Sequence, residues 1–428
     1  MIFLFPFILS VLIIAGLFYW WTRTDKIALS FRQSMLIMFT KCAIGCIYGF
    51  LFLKVYKGDD TWQYHQLSLQ EYEVLKSNPW YFITDLFQHH YKQSQALTFF
   101  NSESSYWKDL QYNILIKLLA VFNLFSRGHY YINVFFFNVI TFWGHYFLYK
   151  LLVRHFPSKK QLFFLIIFFF PPLLFWESGI RKDGLIFPAI TGAVYYFTLL
   201  CNEKAKLKSI ILCVLCSLFV FLIRNFVALS LLPVFIAYYI SIYYSRNVLK
   251  VTFVTLSICI VLFFVTTLAP DSLNLPRQMA ERQHKFLALK GNSFLYIKPL
   301  NDKVSSYLND LPAALNHSFL RPYITEGKSP LLLISALENL MMILLLLGAL
   351  VNYRSLFKVL NNPLWMLLIS FAVINYLMIG FTVPFFGAII RYRILFEVLL
   401  IIPLLVSIDN NNILSKVLCR VPILKKLY

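Results

Sequence analysis

The sequence has few charged residues: only 14% of its 428 residues are Asp, Glu, Lys or Arg, whereas 59% are hydrophobic. This composition excludes a water-soluble fold, because soluble domains carry about 25% charged residues. Apolar runs of about 17–25 residues recur along the chain, and each could cross a roughly 30 Å hydrocarbon core as a helix. The sequence therefore predicts an all-α polytopic integral membrane protein that forms one domain over residues 1–428.

The chain also lacks the motifs of several enzyme classes. It contains no glycine-rich phosphate loop, no G-x-S-x-G and no H-E-x-x-H, and its histidines have no metal-ligand spacing. Its seven cysteines lie almost entirely in or beside apolar runs, so no pair in the long polar segments could form a disulfide. We interpret the C-x-x-C of Cys213 and Cys216 as two small packing residues, because it lies within an apolar run.

Acidic residues are scarce relative to basic ones, and the formal net charge is +20. Short connectors between the apolar runs hold many of the lysines and arginines and few acids, which is the pattern of cytoplasmic loops. Membrane topology thus accounts for the charge, and we expect no nucleic-acid partner. The N-terminal apolar run has no basic region before it and no cleavage site, so we expect a retained first helix. The N-terminus is then outside and the C-terminal tail cytoplasmic.

Eleven transmembrane helices are predicted from the apolar runs. Their approximate ranges are 3–21, 36–55, 130–149, 162–177, 184–200, 209–223, 226–244, 251–268, 331–350, 363–382 and 390–408. Residues 57–129 and 269–330 are predicted to be structured outer loops, the first with an interfacial helix at 113–126. Pro171–Pro172 should kink or end its helix, because proline has no N–H and restricts the residue before it.

Polar residues cluster at four predicted outer helix ends, which are far apart in the sequence. These ends are GDDTWQYH (58–65), WESGIRKDG (176–184), IRN (223–225) and IIRYRILFE (389–397). Charged side chains at the rim of a membrane are costly and tend to mark function. We therefore predict one functional site at the outer face.

Asp59 and Asp60 are the candidates for a catalytic general base. The cations at the other helix ends could hold a phosphate, which arginine binds in a bidentate way and lysine as a point charge. These candidate phosphate ligands are Arg181, Lys182, Arg224, Arg391 and Arg393, with Glu177, Asp183, Glu397, Trp62 and His65 as supporting residues. Structural alternatives stay open: the acids could merely end a helix, the 176–184 turn could pair its charges internally, and Glu397 could simply be the partner of Arg393.

The order of these parts resembles the GT-C superfamily of polytopic glycosyltransferases, the protein mannosyltransferase and aminoarabinose transferase type. The matching pieces are GDDTWQYH at the start of the first outer loop, the P-x-x-x-F-W turn in PPLLFWESGIRKD, and the late R-Y-R in RYRILFEVLLIIP. A short helix and a long helix that ends in the basic connector KLLVRHFPSKK lie between the first two. The resemblance spans most of residues 55–405.

This resemblance implies a polyprenyl-phosphate-linked sugar as donor and a glycan, lipid or protein as acceptor. Asp59 or Asp60 would deprotonate the acceptor hydroxyl, and Arg181, Lys182, Arg391 and Arg393 would lie near the donor phosphate. No cofactor is required, although a divalent metal could bind beside the two aspartates. Lipid-linked donors at an outer face, abundant lysine and no disulfide framework point to a bacterial inner membrane.

Two other functions remain open. The acidic motif follows the second apolar run rather than the first, which departs from the GT-C order and leaves a Wzy-like polysaccharide polymerase or ligase open. Such enzymes are also polytopic and have a long late outer loop, here 269–330. Such an enzyme would rely on the arginines to bind polyprenyl diphosphate, and on His284, and would tolerate loss of either aspartate. A transporter of lipid-linked solutes would instead require broken helices or ionisable residues near the bilayer midplane, of which Glu338 is the main candidate.

Overall fold

The chain folds into two units of packed helices that meet in the sequence at Arg224 and Asn225. The computed structural model describes residues 4–24, 29–58, 60–88, 106–202, 206–244, 247–289, 291 and 293–409. In the described part of the chain the regular structure is helical, apart from one isolated bridge between Phe294 and Phe385.

Unit 1 contains ten α-helices in the residues that the structure describes. They are α1 (Leu4–Thr24), α2 (Phe31–Lys54), α3 (Asp60–Ser77), α4 (Pro79–Thr84), α5 (Tyr106–Ser126), α6 (Tyr130–His155), α7 (Lys160–Phe169), α8 (Pro171–Ser178), α9 (Lys182–Asn202) and α10 (Leu207–Ile223). Helix α6 packs against α1, α2, α7 and α9, and α3 packs against α5. The core of unit 1 therefore surrounds α6.

Unit 2 contains eight α-helices over its described residues. They are α11 (Asn225–Tyr243), α12 (Val248–Val265), α13 (Leu275–Leu287), α14 (Val304–Leu315), α15 (Pro330–Val351), α16 (Tyr353–Leu360), α17 (Pro363–Thr382) and α18 (Phe386–Ile408). Helix α17 packs against α11, α14 and α18, and α15 packs against α18. Helices α17 and α18 form the core of this unit.

Seven helices of the described chain are long and apolar enough to cross a membrane: α1, α2, α9, α11, α12, α15 and α17. An eighth span results if α7 and α8 are counted together. The predicted total of eleven is not confirmed. Helix α10 has only 17 residues, and α18 contains three charged side chains, Arg391, Arg393 and Glu397. In helix α6, polar residues such as His145 and Lys150 lower the mean hydropathy.

The chain breaks between α7 and α8, where the helix axis bends by 45°. Phe170 takes an extended conformation and precedes Pro171 and Pro172, neither of which can donate a backbone hydrogen bond. This confirms the predicted kink. The short helix α8 then ends at Ser178, three residues before Arg181, and so carries WESGIRKDG to one end of α9.

Two glycines of α2 allow the close approach of α6. A Cβ atom at Gly49 would lie 2.3 Å from Cε1 of Tyr130, and one at Gly45 would lie 2.6 Å from Cγ1 of Val134. Residue numbers rise along one helix as they fall along the other, so the pair is antiparallel. The G-x-x-x-G spacing places both glycines on one face, where backbones can pack closely in a membrane.

The two long segments predicted as outer loops contain helices. Residues 57–129 include α3, α4 and α5, and the predicted interfacial helix at 113–126 is the second part of the 21-residue α5. Residues 269–330 include α13 and α14, and Gln283 of α13 bonds the carbonyls of Lys298 and Phe381. Backbone bonds from Leu295 to Pro384 and from Phe386 to Ser293 join this segment to the start of α18.

Candidate functional site

Three of the four polar segments predicted to converge do so in unit 1. Their charged side chains form a group that we call the charged cluster: Asp60, Glu177, Arg181, Asp183 and Arg224. Asp60 begins α3, Glu177 belongs to α8, Asp183 is in the first turn of α9, and Arg224 directly follows α10. The fourth segment, 389–397, belongs to unit 2 and is described separately below.

Asp60 reaches this position through a tight turn after α2. Lys57 and Gly58 both have positive φ, 55° and 135°, and the Gly58 N–H bonds the Phe52 carbonyl over 2.9 Å. Such backbone angles close the carboxyl end of a helix and favour glycine. Because of this turn, α3 begins close to the end of α2. The other candidate base, Asp59, lies outside the described residues.

Arg181 is the most enclosed cation of the charged cluster, since only 3% of its side chain is exposed. Its Nη1 donates to the hydroxyl of Tyr48, and its Nη2 lies 3.5 Å from Oδ2 of Asp60. The guanidinium carbon lies 5.9 Å from the ring centre of Tyr48 and 5.6 Å from that of Trp176, within cation–π range. These contacts hold the guanidinium in place, and the guanidinium in turn orients the Asp60 carboxylate.

Asp183 and Arg224 form the second ion pair of the charged cluster, through Oδ1 and Nη2. The carboxylate lies in the first turn of α9, where a helix favours negative charge. The Arg224 side chain is 16% exposed and the Asp183 side chain 7%. Asp183 therefore pairs with an arginine of a different segment, whereas the structural alternative supposed pairing inside the 176–184 turn.

Lys182 is less enclosed than Arg181 and lies beside two tyrosines. Its Nζ is 3.7 Å from the ring centre of Tyr112 and 5.9 Å from that of Tyr64. The two rings themselves lie 5.2 Å apart. Burial raises the pKa of Tyr64, with the neighbouring Tyr112 adding to the effect, so the phenol stays protonated at neutral pH.

Trp62 and His65 pack inside unit 1 rather than facing solvent. The Trp62 indole stacks on Tyr130 at 4.0 Å and 19°, and its Nε1 donates to the carbonyl of Gly49 over 2.9 Å. His65 is 6% exposed and contacts the rings of Trp62 and Tyr130. These contacts give both residues a place in the packing of α3 against α2 and α6.

The buried imidazole of His65 predicts a pH-dependent stability. Burial, together with the charge of His129, lowers the pKa of His65 to about 4. His65 of the unfolded chain therefore binds a proton near pH 6.5, whereas His65 of the folded chain binds one only near pH 4. The free energy of unfolding consequently decreases as the pH falls from about 6.5 to about 4. This shift corresponds to about 3 kcal/mol at full protonation of the unfolded state.

The His65→Gln variant should lose this dependence, and thermal unfolding in detergent between pH 7 and pH 4.5 measures it. We expect the melting temperature of the wild type to fall more steeply with acidification than that of the variant. Equal slopes would show that His65 does not titrate as its burial requires.

An open apolar cleft of about 640 Å³ lies in unit 1. It is lined by α5, α6, α9 and α10, with Leu185 and Pro188 among the lining residues. Of its lining residues in the described chain, one is charged: Lys117, which pairs with Glu71 at 2.8 Å and with Asp85 at 3.3 Å. Leu185 follows Lys182 by about one helical turn, so the cleft begins close to the charged end of α9.

The two arginines of R-Y-R have different surroundings within unit 2. Arg391 is partly exposed, and its guanidinium lies 4.9 Å from the ring centre of Tyr392. Arg393 is 1% exposed and donates to the carbonyls of Ser318 and Arg321, at 3.2 and 2.7 Å. These bonds join α18 to the end of the 269–330 segment.

Arg393 has three further partners, two on α15 and one on α18. Its Nη2 donates to the hydroxyl of Ser335 over 2.9 Å and to the side-chain oxygen of Asn339, both on α15. Glu397 lies one turn along α18, with 4.0 Å between its Oε2 and the Nε of Arg393. Arg393 is therefore a centre of packing in unit 2, whereas Arg391 has the more accessible guanidinium.

Two residues of unit 1 were missed by the sequence analysis. Tyr48, whose ring and hydroxyl hold Arg181, resembles any other aromatic residue of a membrane helix. Lys41 did carry a signal, because a lysine in the middle of an apolar run is costly unless it has a role. No three His, Cys, Asp or Glu side chains come together as a metal site in the part of the chain that the structure describes.

Together, the helical architecture and the long apolar helices define an all-α integral membrane protein. The chain matches no protein-family model, no curated protein and no solved structure.

Proposed function

We propose that this protein is a membrane glycosyltransferase that moves a sugar from a polyprenyl-phosphate donor to an acceptor hydroxyl, and that the charged cluster of unit 1 is its catalytic site. The observation that carries the proposal is the pairing of Asp60 with Arg181 next to Lys182. Helix ends thus bring together a carboxylate that can accept a proton and cations that can bind a phosphate.

The apolar cleft supports a donor with a lipid tail. A polyprenyl phosphate joins one anionic group to a long hydrocarbon chain, and α9 presents a cation at Lys182 and an apolar cleft wall from Leu185 onward. The N-terminal end of a helix adds backbone N–H donors for a phosphate. The donor phosphate would bind at Lys182, and the first isoprene units would lie in the cleft.

The proposed reaction is a direct displacement at the anomeric carbon. The Asp60 carboxylate takes the proton of the acceptor hydroxyl as its oxygen forms a bond to the anomeric carbon. The bond from that carbon to the phosphate oxygen breaks, polyprenyl phosphate leaves, and the anomeric configuration inverts. Lys182 stabilises the negative charge that develops on the departing phosphate. Arg181 acts as a positioning residue for Asp60.

Donor binding tests the phosphate half of this proposal. Lys182→Met should weaken the affinity of purified protein for polyprenyl phosphate by about tenfold or more, because a charged hydrogen bond of about 1.5–3 kcal/mol is lost. Lys76→Met is the matched control, since Lys76 also lies over a tyrosine ring, that of Tyr72 at 4.3 Å. Equal affinities of the Lys182→Met protein and the wild type would remove Lys182 from the donor site.

Transport of a lipid-linked solute is the second candidate, and two observations favour it. The pair of helices α7 and α8 is broken in the manner of transporter helices, and Lys41 is buried in the middle of α2. Reconstituted vesicles separate the two candidates. A transporter would carry a fluorescent polyprenyl-linked sugar between leaflets without cleaving it, whereas a transferase would release polyprenyl phosphate only when an acceptor is present.

A further inference from the structure

Three ionisable side chains are fully buried in unit 1 on three different helices. Lys41 lies on α2, His145 on α6 and Glu177 on α8, and each is 0% exposed. Glu177 also belongs to the charged cluster, but the other two have no part in the proposed reaction. Burial of such groups in a membrane protein requires a compensating interaction.

Helix packing brings the three side chains to one place. In the antiparallel pair of α2 and α6, Gly49 packs against Tyr130 and Gly45 packs against Val134. Lys41 lies one helical turn beyond Gly45, in the direction of His145 on α6. A Cβ atom at Gly45 would also lie 2.5 Å from the carbonyl oxygen of Ser178, the residue after Glu177.

A hydrogen bond agrees with this placement, because the side chain of Asn138 on α6 donates to the Ser178 carbonyl over 3.0 Å. The described chain provides no hydrogen-bond partner for three sets of buried atoms: Nζ of Lys41, Nε2 of His145 and both carboxylate oxygens of Glu177. In the described chain, no direct ion pair of 4.0 Å or less joins Lys41 to Glu177. The three groups therefore lie close together, and the named polar atoms have no hydrogen-bond partner in the described chain.

The chemistry of the three groups defines what can bind between them. The Nδ1 of His145 lies 3.1 Å from the carbonyl of Thr141 and donates to it, so Nε2 of the neutral ring is an acceptor. Lys41 offers donors and Glu177 offers acceptors. A bound anion would be repelled by Glu177 and a bound cation by Lys41, so the occupant must be neutral and must both donate and accept.

We propose that Lys41, His145 and Glu177 enclose a site for bound water inside unit 1. Water donates to Glu177 and to Nε2 of His145, and it accepts from the Lys41 ammonium group. A buried water typically makes about three hydrogen bonds, and polar cavities hold such molecules whereas apolar ones stay dry. The water links the charge of Lys41 to the carboxylate of Glu177 and stabilises both inside the membrane.

Hydroxyl radicals formed from bound water by X-ray irradiation test the site in the full-length protein in detergent. We expect oxidation of His145, measured by mass spectrometry of its peptide, although its side chain is fully buried. Phe137 is the control because it lies on the same helix, is 0% exposed and is itself reactive toward radicals. Labelling of His145 that stays at the level of Phe137 in the wild type would overturn the proposal.

A double-mutant cycle provides a second test that does not depend on labelling. Lys41→Met and Glu177→Gln should each lower the melting temperature, because each leaves one buried charge without its counterpart. The double variant should melt at a higher temperature than either single variant, and labelling of His145 should fall in it. Melting temperatures that decrease additively would show that water does not couple the two charges.

Discussion

Replacement of Asp60 by asparagine is expected to lower the turnover of sugar transfer by about 10²- to 10⁴-fold, the range that a positioned general base contributes. Asparagine has nearly the same shape as aspartate, but it cannot take up the proton of the acceptor. Donor binding should remain, because the proposed phosphate ligand Lys182 is unchanged. A fall in kcat with an unchanged donor Kd is therefore the expected signature.

The matched control for this variant is Asp271→Asn. Asp271 also pairs with an arginine, Arg277 at 2.5 Å, but this pair is exposed and lies in unit 2. The control should retain the wild-type turnover. Full activity of the Asp60→Asn protein would remove Asp60 as the base and leave Asp59 as the candidate that the resemblance implies.

Replacement of Arg393 by methionine should lower the free energy of unfolding by about 3–5 kcal/mol, the usual effect of removing one partner of a buried ion pair. The variant leaves the carboxylate of Glu397 buried without its opposite charge. It also removes the donors that serve the carbonyls of Ser318 and Arg321, which join α18 to the preceding segment.

Urea or thermal unfolding of the purified protein in detergent measures this loss. Arg354→Met is the control, because Arg354 is an exposed arginine that also lies near an aromatic ring, that of Tyr353. We expect the control to remain within about 0.5 kcal/mol of the wild type. A stable Arg393→Met protein that has lost donor binding would instead assign Arg393 to the phosphate site, as the sequence analysis predicted.

Hydropathy predicted the apolar helices well because length and composition alone decide whether a helix can cross a membrane. The predicted total of eleven includes helices, such as α18, that length and composition alone do not identify as membrane spans. Helix α18 can carry Arg393 and Glu397 because partners on α15 surround them. Those partners depend on tertiary contacts, which no local pattern contains.

The convergence of three polar segments in unit 1 was predictable for a similar reason. Alternation of the chain across the membrane places every second helix end on the same side. The pairing of Asp60 with Arg181 was not predictable, since it depends on the turn at Gly58 and on the rotation of each helix about its axis.

The most direct test of the proposed function is sugar transfer by the purified protein with two separate donor pools, polyprenyl-phosphate sugars and polyprenyl-diphosphate glycans. We expect turnover with the monophosphate donors, inversion of the anomeric carbon, and loss of turnover in the Asp60→Asn protein. Turnover with diphosphate donors alone, retained in the Asp59→Asn and Asp60→Asn proteins and lost in an Arg391→Ala, Arg393→Ala double variant that still folds, would contradict it and identify a polymerase or ligase. The absence of transfer with either pool would also contradict the proposed function and favour transport.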